Sequence, residues 1–215
     1  MFKFQNIINT NIAIGLFGIS YMENYNHWMN WKTNPDWRKT NYKTTLYKTL
    51  SDQSNNIDHY FSTYYNPLEN DLIAFFNPIK YQLNDFIDKE WAASRHERFK
   101  EVLNFFPDTY EYYIMTRFDL SFDPNVLLNS NIDTSSINVT SRHWYGEEEV
   151  LCDYFYIFHI SMLNTFKNFI NNIPPADKDL CYYHRLHKHN NAPKFSYMID
   201  GIYYSHNCPL WNIIR

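Results

Sequence analysis

One stretch limits what this chain can fold into more than any other: Tyr110–Asp123, Tyr-Glu-Tyr-Tyr-Ile-Met-Thr-Arg-Phe-Asp-Leu-Ser-Phe-Asp. Tyr112, Tyr113, Ile114 and Met115 form an apolar, aromatic run of strand length. Glu97–Phe106 ahead of it has helical spacing, and Pro107-Asp108 supplies the turn between them. A strand set between a helix and a polar turn reads as the buried middle strand of an α/β sheet. Open α/β sheets bind ligands at the carboxyl ends of such strands. This one runs into Thr116, Arg117 and Asp119, with Asp123 a little further on. Arg117 is a natural partner for phosphate, and Asp119 is a hard oxygen ligand for Mg²⁺ or Mn²⁺. Together they suit a metal-bound diphosphate. They equally suit an ion pair with each other at the sheet edge.

The chain has room for one domain over residues 1–215 and for a sizeable core. A net charge of −4, with no run of Lys and Arg, argues against a general nucleic-acid binder. Three widely spaced cysteines, Cys152, Cys181 and Cys208, argue against a disulfide framework and a Cys-x-x-Cys zinc site. No apolar run approaches a membrane span or a signal-peptide core, so the expectation is a soluble, cytoplasmic protein. The sequon Asn138-Val139-Thr140 is then expected to be silent.

In chain order, Asn11–Ser20 reads as a buried first strand entering a loop. Gly15 and Gly18 are half of the chain's four glycines, and at a strand end they admit either a ligand or another backbone. No phosphate-loop pattern accompanies them. Tyr21–Thr40 is a long aromatic loop with Trp28, Trp31 and Trp37, suited to stacking on a base or sugar, or to lidding the core. A helix over Asn41–Leu50, a strand over Ile57–Thr63, a helix over Glu69–Phe76 and a strand over Pro78–Leu83 follow. The longest helical pattern is Asp88–Phe106. It carries Arg95 and Arg98; Arg98 is a candidate donor-binding cation, and its alternative is a solvated face.

After the middle strand come a short connector over Val126–Ile132 and a strand over Ile137–Thr140. Tyr145–Glu149 reads as an acidic turn, and Leu151–His159 as a strand. Helices over Ser161–Ile173 and Asp177–His189 and a last strand over Phe195–Tyr204 complete the chain. Strands alternating with helices, with mixed order toward the end, predict a single α/β three-layer sandwich around a mixed sheet.

Candidate metal ligands are Asp119, Asp123 and a histidine, with His206 beyond the last strand as first choice. His184, His187 and His189 cluster, but no zincin pattern surrounds them. Among candidate bases, Glu147–Glu149 have the look of a solvated turn. Asp153 precedes the apolar run Tyr-Phe-Tyr-Ile-Phe, where a carboxylate needs a reason: it is a candidate general base, or a cap.

Several of these segments together resemble a family of glycosyltransferases found in large DNA viruses and in bacterial polysaccharide clusters. They are Ile12–Ser20 ending in Gly-Ile-Ser, Phe61-Ser62-Thr63-Tyr64, and above all Tyr112–Leu120 with its Thr-Arg-Phe-Asp-Leu core. Cys152–Phe158 followed by a helix is similar to that family's Asp-x-Phe-x-x-Gly segment. The resemblance implies a GT-A fold, one α/β domain that binds a nucleotide sugar. It implies a nucleoside diphosphate donor, UDP by class frequency, and a glycan or other hydroxyl acceptor. Gly15, Gly18, Thr63, Arg98, Arg117 and Asp119 would then line the donor site, Asp119 and His206 would hold Mn²⁺ or Mg²⁺, and Asp153 would be the catalytic base. The class usually carries Asp-x-Asp where this chain has Arg117-Phe118-Asp119, which puts the metal requirement in question. Two other classes fit some of the same residues: a non-catalytic carbohydrate or nucleotide module, which needs no base, and a metal-dependent nucleotidyltransferase, which normally needs more than one Asp at the strand end.

Overall fold

The computed structural model describes residues 2–23, 35–86, 91–145, 148–152, 154–173, 182–204 and 208–213. Its centre is a seven-stranded sheet. In chain order the strands are β1 (Asn11–Phe17), β2 (Asn56–Tyr64), β3 (Lys80–Asn84), β4 (Tyr112–Arg117), β5 (Ile137–Val139), β6 (Phe155–His159) and β7 (Phe195–Tyr197). The spatial order is β7-β5-β6-β4-β1-β2-β3. β1 pairs in parallel with both β2 and β4, β2 with β3, and β5 with β7. Only β6 runs the other way, antiparallel to β4 and β5.

The strands are apolar on both faces because both faces are covered. Ile12, Ile14 and Leu16 of β1 join Ile114 and Ile157 in one core with Leu46, Leu50, Leu72 and Phe76. Those last four come from α1 (Leu46–Ser51) and α2 (Glu69–Phe76). Ala13 and Phe17 join Tyr113, Met115, Tyr156 and Phe158 in a second core with Phe99, Val102, Phe106 and Phe166. That face is closed by α3 (Trp91–Phe105) and, after the short α4 (Pro124–Asn129), by α5 (Leu163–Asn172). The period of two along each strand thus sorts side chains between two helical layers. The predicted three-layer α/β sandwich with a mixed sheet is what the chain forms.

Local sequence explains most boundaries. α2 carries Glu69 and Asp71 in its first turn and stops at Asn77, which takes the left-handed conformation (φ 46°) ahead of Pro78. α5 buries Leu163, Phe166, Phe169 and Ile170, one stripe at helical spacing.

Four predicted elements differ. Val126–Ile132 is no connector: Asp123 accepts hydrogen bonds from the Asn125 and Val126 amides, Pro124 occupies the first turn, and α4 results. Arg142–Tyr145 and Glu148–Leu151 form a hairpin, so Leu151 belongs to that hairpin and β6 starts only at Phe155. The predicted last strand is two strands in two sheets. Phe195–Tyr197 pairs with β5 and Ile202–Tyr204 with Arg142–Tyr145, separated by a turn at Gly201 (φ 127°). The described part of the predicted Asp177–His189 helix, Tyr182–Lys188, is a 3-10 helix. Asn138 is fully buried in β5, so the sequon lies in the core. No described helix is long and apolar enough to cross a membrane.

Candidate functional site

The sheet has a switch point. From β1 the chain adds β2 and then β3 on one side, and returns to place β4 on the other side of β1. Connections on either side of such a point leave opposite faces of the sheet and open a crevice beyond the strand ends. The three strands end level there, since Phe17 is in register with Ser62 on one side and with Arg117 on the other.

Gly18 turns the chain out of β1 with φ 93°, and a Cβ built on it would meet nothing within 4 Å. This glycine is required by its backbone, and the space beside it is open. Gly15 is the opposite case. A Cβ there would lie 2.3 Å from Val102, 2.7 Å from Phe106 and 2.9 Å from Met115. Gly15 lets α3 press against the sheet, and the room a ligand would need is filled by that helix. The structure thus decides between the two uses of glycine left open by the sequence.

Thr63 is fully buried, and its hydroxyl ties the turn after β1 to β2. It accepts from the Ser20 amide at 3.2 Å and donates to the Ser20 hydroxyl at 2.9 Å. Thr63 thereby fixes the turn that leaves β1 at the switch point. The next residue, Tyr21, is bridged antiparallel to Asp36. Asp36 is buried and holds Arg38 through two hydrogen bonds of 2.9 and 2.8 Å, and Arg38 lies 5.2 Å over the Tyr21 ring. Those bonds keep the Asp36 carboxyl below its ordinary pKa. Trp37 is buried against Phe75 and Phe76, so it belongs to the core and not to a stacking surface.

Arg98 is buried as well, and the solvated-face alternative does not describe it. It donates to Glu101 at 2.8 Å and lies 5.7 Å from the Tyr64 ring. Glu101 also accepts from the Ser62 hydroxyl, and Asn84 donates to Ser62 and to the Thr63 carbonyl. A polar network thus runs beneath the carboxyl ends of β2 and β3. Among the described residues the Arg98 Nε finds no hydrogen-bond acceptor.

Arg117 and Asp119 bind each other. Arg117 Nε donates to Asp119 Oδ1 at 2.9 Å and Nη2 to Oδ2 at 2.5 Å, with 16% and 4% of the two side chains exposed. The Arg117 guanidinium also lies 4.6 Å over the ring of Tyr154. The ion-pair reading therefore describes these two residues, and a metal at Asp119 would require the pair to open. Asp123 caps α4 and is spent there. Among the described residues no three His, Cys, Asp or Glu side chains stand together; Asp119 is the described one of the two proposed ligands, and a metal bound with a diphosphate can be held by a single carboxylate and the phosphates.

Asp153, His206, Glu147, Trp28 and Trp31 lie outside the described residues, as do the side chains of Glu148, Glu149 and His184. Cys152 and Tyr154, which flank Asp153, are buried. Tyr154 also accepts a 3.3 Å bond from the Thr116 hydroxyl through its carbonyl, at the carboxyl end of β4. Sequence reasoning missed Ser20 and Tyr154. Tyr154 had a signal, because it sits one residue from the proposed base at the mouth of the antiparallel strand.

No family model and no curated protein matches the chain. Two solved structures are similar in outline. One is assigned as a nucleotide-diphospho-sugar transferase of Desulfovibrio desulfuricans G20, 11% identical with a TM-score of 0.47, over 90% of this chain and 80% of that one. The other is a glycosyltransferase involved in the glycosylation of the major capsid of PBCV-1, 14% identical with a TM-score of 0.38, over 91% of this chain and 82% of that one. Both likenesses are distant, and no residue role is carried over from either.

Proposed function

We propose that this chain is a glycosyltransferase that moves a sugar from a nucleoside diphosphate, UDP first, to a hydroxyl of a glycan. The observation that supports it is the switch point of the sheet, where the open glycine turn after β1 and an arginine held by Asp119 and Tyr154 stand at the ends of neighbouring strands. A leaving diphosphate needs positive charge fixed in advance where negative charge develops. Arg117 is positioned to supply it, and Asp119 and the Tyr154 ring set its orientation. Asp119 is the residue that would hold Mn²⁺ or Mg²⁺ against the diphosphate, and no step is routed through the metal.

In an inverting transfer the bond between the sugar's anomeric carbon and the diphosphate oxygen breaks, and its electron pair leaves with the diphosphate. The acceptor oxygen forms the new bond to that carbon and gives its proton to a carboxylate. Asp153 is our choice for that carboxylate, on its place in the sequence one residue before Tyr154. The competing reading as a pure binding module has no use for a base.

The test is a thermal-shift series with UDP, GDP, CDP and ADP, each with and without Mn²⁺, followed by an assay of UDP release from UDP-sugars. A ligand at about a hundred times its Kd adds roughly 2.7 kcal/mol of stability, enough for a clear shift. If no nucleoside diphosphate raises the melting temperature at millimolar concentration, the transferase reading falls.

A further inference from the structure

The sheet ends at an open strand. β3 pairs with β2 and stands last in the order, so among the described residues no strand pairs with its outer edge. In a parallel ladder alternate residues turn both N–H and C=O toward the neighbouring strand. The Asn84 carbonyl accepts from the Tyr65 amide, so Asn84 and Gln82 face β2, and Tyr81 and Leu83 face outward. The Leu83 carbonyl agrees, since it accepts from the Gln82 side-chain amide at 2.9 Å and not from a ladder amide. An edge of this kind is a template for another strand, whose amide would replace that side chain.

Apolar exposure gathers here. Of the four large apolar side chains that stand exposed among the described residues, three are Tyr65, Ile79 and Tyr81, at 60%, 63% and 43%. Ile79, Tyr81 and Leu83 alternate onto one face, where Tyr81 meets Phe61 and Leu83 packs on the core. Lys80 and Gln82 are exposed on the other face, and Lys80 lies 4.5 Å over the Phe105 ring. The usual protections of an edge are missing from β3: it has no proline and no bulge, and its one charge is drawn aside to Phe105.

The residues of β3 complement themselves. Antiparallel pairing of two copies about a two-fold axis at Gln82 sets Tyr81 opposite Leu83 of the second copy, and Leu83 opposite its Tyr81. The outward amides and carbonyls of both residues then all find partners. On the other face the two Gln82 amides meet at the axis and Lys80 falls opposite Asn84, so no like charges stand opposite each other. Neighbouring registers are worse. A shift of two residues one way calls on the Ile79 amide, which already donates to the His59 carbonyl at 2.8 Å. A shift of two the other way sets Tyr81 against the Asp85 carboxylate, and a shift of one sets it against Gln82. A two-fold contact requires this kind of self-complementarity. We infer that the chain forms a two-fold dimer through β3, joining two sheets into one. Ile79 and Tyr81 offer roughly 200 Å² of exposed side chain per copy. With the strand backbone added, the contact belongs to the weak class below about 1,200 Å². The inference is independent of the transferase reading, since β3 carries none of the residues invoked for transfer.

Sedimentation velocity of the whole chain over a concentration series should show a monomer–dimer equilibrium with a Kd of about 100 µM. Gln82→Glu sets two carboxylates face to face on the axis and should weaken the dimer about fivefold at neutral pH. Ile8→Glu makes the same charge change at the exposed apolar residue outside this edge and should leave the dimer unchanged. Gln82→Cys should cross-link into a disulfide dimer under mild oxidation and Lys80→Cys should not, with the parent chain as the control for its native cysteines. A chain that stays monomeric at about 500 µM overturns the inference and leaves the edge to a strand of another protein. It is equally overturned by a dimer that Gln82→Glu leaves intact, by one that Ile8→Glu weakens as much, or by cross-linking through Lys80→Cys in preference to Gln82→Cys.

Discussion

Removing Arg117 should cost far more than removing Arg117 and Asp119 together. The pair has two well-made hydrogen bonds, of 2.9 and 2.5 Å, and only 4% of the Asp119 side chain is exposed. Arg117→Gln leaves a carboxylate with neither water nor a counter-charge. Breaking one partner of a buried pair in this way costs about 3–5 kcal/mol. Arg117→Gln with Asp119→Asn removes both charges and leaves two amides able to bond across the same gap, so its cost should stay near 1 kcal/mol. Urea denaturation at neutral pH measures the four corners of the cycle, and unchanged m-values keep the comparison in the folded state. Titration of the same variants with UDP then separates structure from function. The double variant should fold and yet bind UDP about 10- to 100-fold more weakly, because it lacks a charge-assisted contact worth roughly 1.5–3 kcal/mol. A double variant as unstable as Arg117→Gln alone would refute the argument from buried charge. A Mn²⁺-dependent gain in UDP affinity that disappears in Asp119→Ala would refute the orienting role and give Asp119 to a metal.

Gly15→Ala should destabilise by about 1–3 kcal/mol through overpacking against Val102 and Phe106, with UDP affinity of the folded protein unchanged; lost affinity at full stability would return Gly15 to the ligand site. Gly18→Ala forces φ 93° on a residue with a Cβ and should cost about 1–2 kcal/mol by denaturation, although nothing stands in its way. Asp153→Asn should lower turnover about 10²-fold with donor affinity intact, and full activity in that variant would exclude it as the base. His59 is buried, which, with Lys43 nearby, depresses its pKa from 6.5 to about 4. Its neutral form is the folded one, so its contribution is complete above 6.5 and is lost as the pH falls toward 4, by up to about 3 kcal/mol. His59→Gln should make the acid limb of the stability curve shallower, and an unchanged limb would show that His59 is not its source.

The sheet was readable because its strands declare themselves. Tyr112–Met115 and Ile12–Leu16 are apolar at every position, which only a strand covered on both faces requires. What failed is equally physical. Asp123-Pro124 is a helix start, but an aspartate just past a strand end also resembles a ligand, and only the bonds from the Asn125 and Val126 amides decide. Phe195–Tyr204 has one continuous apolar pattern, yet Gly201 takes a positive φ and hands the second half to a different sheet. Periodicity sees burial; it does not see which neighbour does the burying.

The same blindness shapes the site. Arg117, Asp119 and Thr63 were each legible as polar residues near strand ends, where ligands bind, and Arg98 as a cation on the longest helix. Their partners were not, because Ser20 meets Thr63 across 43 residues and Ser62 meets Glu101 across 39. Once those partners are in place, each side chain is held by the protein before any ligand arrives. Arg117 shows what such holding does: a flexible arginine loses rotamer freedom when it binds, whereas one clamped between a carboxylate and a ring has lost it in folding. A residue whose hydrogen bonds are spent on its neighbours can therefore still serve a ligand, by carrying a fixed charge to the crevice. That is why the ion-pair and donor-site readings of Arg117 are compatible, while the ion-pair and metal-ligand readings of Asp119 compete for the same two oxygens.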